Sequence, residues 1–148
     1  IKGGLWAETV HTEDKLDYMV FPRFFALAER AWSPERTYED EVRFNENDFN
    51  KDYSRFINRI GKVELPKISS FVKFRLPGVG VKEVNGKLLA NTELPGFAIY
   101  YTLDGKTPSL KSLKYTSASK IMTKRGQKVA FAVVDANGAV GPVTYFIK

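Results

Sequence analysis

The chain has 148 residues, of which 43% are apolar and 14% aromatic, with a formal net charge of +6, no cysteine and a single histidine. This composition argues against intrinsic disorder, a disulfide framework and thiol or zinc-thiolate chemistry. No apolar run approaches the ~18 residues of a membrane helix.

The first stretch, "KGGLWAETV" at residues 2–10, predicts a short strand over 1–8 with glycines leading into it. It lacks a starting Met and opens mid-pattern, so the chain reads as a piece of a longer protein. Residues i and i+2 of a strand share a face, which would put Trp6 beside Glu8. An aromatic plate next to a carboxylate suits a sugar: the ring packs on the apolar C–H face and the carboxylate accepts from hydroxyls. The same pair also fits a half-buried tryptophan beside a solvated glutamate.

Residues 13–32 predict helix. Thr12 is a suitable N-cap, with acidic residues in the first turn. Pro22 breaks the helix and starts a second one that runs to Trp32, and Ser33-Pro34 ends it. Apolar residues go most of the way round, which calls for burial on more than one side. Arg23 and Glu29 stand within this apolar stretch and are not helical neighbours, so partners elsewhere in a larger protein are expected. Residues 35–47 are polar connection. Phe49, Tyr53, Phe56, Ile57 and Ile60 give an amphipathic helix over 48–61, capped by Asn47 or Asp48 and stopped at Gly61.

After Leu65-Pro66 the period becomes two. Strands are expected at 71–76, 87–91, 97–103, 128–135 and 142–147, with weaker ones near 81–84 and 113–121. "PGVG", "VNGK", "LPGF", "LDGK" and "DANGAVG" separate them. "AIYYTLDGKTP" predicts a hairpin turning at Asp104-Gly105. About seven short strands argue for an immunoglobulin-like β-sandwich. Two domains follow, 1–64 and 65–148. The first carries 10 Lys+Arg and 13 Asp+Glu, a net −3, and the second 13 and 4, a net +9.

A basic domain can bind polyanions. Here the lysines are scattered singly and no arginines interleave with aromatics, so a solvated basic surface is expected and no nucleic-acid partner. His11 alone supports neither a Ser–His–Asp triad nor a multi-histidine metal site. "PGVG" and "DGKTP" match no phosphate loop, and "LDGK" lacks the alternating acids of a calcium loop.

"GGLWAETV" followed by "FPRFFALAERAWSPE" resembles the last strand and last helix of the catalytic barrel in family-20 glycoside hydrolases, the β-N-acetylhexosaminidases and bacterial chitobiases. "ANTELPGFAIYYTLDGKTPS" followed by Tyr115 is similar to the C-terminal sandwich of the bacterial chitobiases. The implied fold is the last strand and helices of a (β/α)8 barrel followed by an immunoglobulin-like sandwich. The resemblance implies that Trp6 forms the base of the pocket for a terminal N-acetylhexosamine and that Glu8 accepts from its O4 and O6 hydroxyls. It implies an exo-acting enzyme that releases N-acetylglucosamine from chitin oligosaccharides by substrate-assisted hydrolysis, working in the periplasm, on the cell surface or after secretion. No metal or organic cofactor is implied. The family's catalytic Asp-Glu pair lies on an earlier barrel strand, and Glu39-Asp40-Glu41 is not that pair, so this chain carries no catalytic residue. The chain alone is expected to be inactive and to self-associate through residues 1–32. In the rival reading it is a non-catalytic carbohydrate-binding or scaffolding module, with Phe97, Tyr100, Tyr101 and Tyr115 as candidate sugar platforms.

Overall fold

A computed structural model describes residues 2–36, 38 and 44–148. The chain divides into two compact units, Ile1–Arg75 and Leu76–Lys148, where the sequence placed the change of character at 64/65. Glu39-Asp40-Glu41 lies outside the described residues.

Unit 1 is helical. α1 spans Glu13–Val20, and its N-cap Thr12 accepts from the Lys15 amide at 3.2 Å. Pro22 breaks the helix as expected and caps α2, Arg23–Trp32. α3 spans Glu46–Arg59, with Asn45 as the capping side chain. The predicted stop at Gly61 does not occur. The chain widens into a π turn over Ile60–Glu64, with the Leu65 amide reaching back to Ile60 O, and continues as α4, Leu65–Ile68. Gly61 is buried there. Pro66 falls at the first turn of α4, directly after the π turn. Arg59 and Lys67 flank Glu64 at 3.1 and 3.3 Å and hold its carboxyl below the usual range.

Two predicted strands of this unit are absent. Residues 2–7 are irregular and 8–9 form a turn. Among the described residues no strand lies alongside to accept ladder bonds, and a lone strand has little stability of its own. The barrel reading of this stretch therefore has no strand behind it here. Residues 71–76 alternate like a strand, but their amides go elsewhere. Phe71 and Val72 donate to Ile68 O, Lys73 donates to the Asp17 carboxylate at 2.9 Å, and Arg75 donates to Phe21 O at 3.1 Å.

Unit 2 is all β, with seven strands: β1 (Gly80–Val84), β2 (Lys87–Asn91), β3 (Ile99–Thr102), β4 (Leu113–Lys114), β5 (Ile121–Met122), β6 (Lys128–Val133) and β7 (Thr144–Ile147). They form two antiparallel sheets, ordered β1-β2-β5 and β4-β3-β6-β7. The chain passes between the sheets after β2, β4 and β5, as a β-sandwich requires. The tight hairpin is β1–β2. Asn85 and Gly86 have φ of 50° and 75°, the left-handed pair that a two-residue turn matched to strand twist needs. Asp104-Gly105 turns the chain but closes no tight hairpin. Asp104 accepts from the Lys106 amide, and pairing resumes only at Leu113.

The core is uneven between the units. Of the described residues of unit 1, only Ile60, Gly61, Leu65 and Phe74 are buried. In unit 2 every residue from Val129 to Val134 is buried, so β6 is covered on both faces. Phe131 sits among Tyr101, stacked at 5.8 Å, and Tyr115, edge-on at 6.5 Å.

Candidate functional site

The segment bearing Trp6 and Glu8 is held by close approaches rather than by a sheet. At Gly3 a Cβ would come within 2.8 Å of Leu27 Cδ2, so the main chain lies directly on α2. At Gly4 a Cβ would stand 2.5 Å from Cζ3 of Trp6, so the indole folds over its own main chain. A side chain at either position would push the Leu27 or Trp6 side chain aside. Val10 then donates to Ala7 O at 3.0 Å, closing a turn with Glu8 and Thr9 at its centre.

The shared-face argument assumed extended chain through residue 8. With Ala7 opening a turn, the two-residue spacing no longer fixes a common face for Trp6 and Glu8. Both side chains are nonetheless available. Trp6 is 73% exposed, and Glu8 is exposed with no hydrogen bond or ion pair among the described residues. The indole is covered in part by the Gly4 main chain and otherwise exposed, and the carboxylate is an open acceptor. His11 is exposed as well. Among the described residues no three His, Cys, Asp or Glu side chains converge as metal ligands would, and no helix is long and apolar enough to cross a membrane.

A second polar group in this unit is not foreshadowed by any motif. Arg36 donates to Glu29 Oε1 at 2.8 Å, to Asp52 Oδ1 at 3.0 Å and to Ser33 Oγ at 2.8 Å. Ser33 in turn donates to Glu29 at 3.0 Å, and Tyr38 donates to Asp52 Oδ2 at 2.7 Å. Glu29 thus finds its partner seven residues on, within the same unit, rather than in another part of a larger protein. The guanidinium fork is taken up by two carboxylates and a hydroxyl, which makes it a tie between α2 and α3. Arg36→Ala is expected to cost about 1–2 kcal/mol, the range for charged hydrogen bonds reduced for partial exposure. Arg36→Lys should recover little, because an ammonium lacks the planar fork. Urea unfolding followed by helical circular dichroism measures both, and an unchanged midpoint would show that the tie carries no stability.

Two family descriptions match the chain. "Glycosyl hydrolase family 20, catalytic domain" matches residues 1–35, and "Chitobiase/beta-hexosaminidase C-terminal domain" matches residues 78–145. The chain belongs with the family-20 glycoside hydrolases. Among curated relatives, "N,N'-diacetylchitobiase" of Vibrio harveyi is 41% identical over 113 residues, which is 69% of this chain and 13% of that protein. "Beta-hexosaminidase" of Vibrio vulnificus is 34% identical over 126 residues, 72% of this chain and 15% of that protein. "Beta-hexosaminidase" of Porphyromonas gingivalis is 31% identical over 146 residues, 96% and 17% respectively. The chain thus spans 13–17% of the length of these relatives. The family-20 catalytic-domain match takes in Trp6, Glu8, α1 and α2, and stops one residue short of Arg36. The C-terminal-domain match takes in β1 to β6 and the start of β7.

Proposed function

We propose that the chain is the C-terminal part of an exo-acting β-N-acetylhexosaminidase that works outside the cytoplasm and releases terminal N-acetylglucosamine from chitin oligosaccharides. The match of residues 1–35 to the family-20 catalytic domain carries this reading, supported by the relatives named chitobiase and beta-hexosaminidase. In substrate-assisted hydrolysis the substrate's acetamido oxygen attacks the anomeric carbon, in place of a carboxylate nucleophile. The acid that protonates the leaving group and the aspartate that orients the acetamide lie outside these 148 residues. This chain's share is binding: Trp6 stacks on the sugar ring and Glu8 accepts from its outer hydroxyls. The β unit gives structural support.

In the full-length protein, Glu8→Gln is expected to lower kcat/KM on a nitrophenyl N-acetylglucosaminide by roughly 1.5–3 kcal/mol, about 10- to 150-fold. Trp6→Ala should lower it at least as much through lost stacking area. The 148-residue chain alone should release no nitrophenol above background. Full kcat/KM in both variants would remove Trp6 and Glu8 from the sugar site.

A further inference from the structure

Unit 2 holds a cleft of about 530 Å³ between the start of β1, the end of β2 and the connection after β4. β5 pairs only with Lys87 and Leu88, so the far edge of β2 has no strand partner from Leu89 onward. The two-residue turn at Asn85-Gly86 makes Val84 and Lys87 a hydrogen-bonded pair. In an antiparallel ladder bonded pairs alternate. Leu89 and Asn91 therefore bond to β1, and the N–H and C=O of Ala90 point to the open side.

We infer that this cleft is a binding site for one or two neutral sugar rings. Its volume lies within the roughly 300–1,000 Å³ of small-molecule sites. Tyr115 lines it as an aromatic wall whose angle is fixed by edge-on packing against Phe131, and Leu89 adds apolar surface. The rim offers both donors and acceptors, as sugar hydroxyls demand: the Ala90 main chain, the Asn91 amide and the Ser117 hydroxyl. Neither of these two side chains, nor Lys82, makes a hydrogen bond or ion pair among the described residues. Two other occupants fit less well. An added peptide strand would find one free main-chain residue, Ala90, and could not extend a ladder. An anion would find one cation, Lys82. Of the four candidate platforms Phe97, Tyr100, Tyr101 and Tyr115, only Tyr115 lines this cleft. The inference goes beyond the proposed function, since none of these residues belongs to the Trp6–Glu8 pair.

The test is a titration of the 148-residue chain, followed by amide shifts, with N,N'-diacetylchitobiose, cellobiose and a sulfated disaccharide. Saturable shifts with at least one neutral disaccharide are expected at Gly80–Lys82, Leu89–Asn91 and Tyr115–Ser117. Tyr115→Ala should abolish them but also loosens the packing on Phe131. Asn91→Ala and Ser117→Ala alter exposed positions and should each weaken binding severalfold with thermal stability unchanged. Gly80→Ala should do the same, because its Cβ would stand 2.6 Å from Asn91 Oδ1 and displace the amide. Absence of saturable shifts at these residues would overturn the inference, as would response to the sulfated sugar alone or full affinity in an Asn91→Ala/Ser117→Ala double variant. Shifts at Trp6 and Glu8 report on the proposed hydrolase pocket separately, so either reading can fail while the other stands.

Discussion

Phe131→Ala is expected to destabilise the β unit by roughly 3–5 kcal/mol, the cost of removing a fully buried aromatic and leaving a cavity. Phe131 is 0% exposed, at the middle of the doubly covered strand β6, and it anchors Tyr101 and Tyr115. A core this small rarely supplies more than about 3–5 kcal/mol in total. The substitution should therefore remove the unit's cooperative unfolding transition at room temperature, seen as lost near-ultraviolet dichroism from the tyrosines. A loss below ~1 kcal/mol would mean that the site collapses around the gap and that the core is less tightly packed than it looks.

The second large effect concerns association. Trp32 is 90% exposed, Trp6 73% and Phe24 49%, with Leu5 and Leu16 also exposed. Burying each large side chain is worth roughly 1.5–3 kcal/mol, so covering several of them with a second copy of the chain favours association. The 148-residue chain at ~100 µM should therefore sediment as a dimer or larger species. Trp32→Glu combined with Phe24→Glu should return it to monomer while leaving the β-unit transition unchanged. A clean monomer for the unaltered chain would show that these side chains do not drive association.

Much of the fold was readable because local chemistry decided it. Thr12 caps, Pro22 breaks, and the apolar spacing of Phe49 to Ile60 gives a helix whatever surrounds it. Asn85-Gly86 specifies its turn in the same way. The failures occurred where long-range partners decide. "FVKFRL" at 71–76 has the alternation of a strand, but its amides are claimed by Asp17 and Phe21, more than fifty residues earlier in the chain. A strand at residues 2–8 needs a neighbour, and periodicity carries no information about neighbours. Among the site residues, Trp6 and Glu8 stood out by type. Arg36 did not, because one of its carboxylates, Asp52, is sixteen residues away on another helix. Tyr115 was a candidate among four, and only its place in the lining of the β1–β2 cleft singles it out.

The uneven core also sets which parts of the chain open first. Val129–Val133 of β6 are buried and the strand is flanked on both sides, by β3 and β7, so their amides exchange with solvent only when the whole β unit unfolds. Amides of α1 and α2 sit on helices without a single buried residue, and opening them exposes little that was hidden. Protection against exchange should therefore fall steeply from Val129–Val133 to residues 13–32. Binding elements are drawn from the low-stability end of a structure. The segment that carries Trp6 and Glu8 lies at that end: its order rests on Gly3 against Leu27 and on one turn, so the sugar contact we propose for it would add support that the segment otherwise lacks.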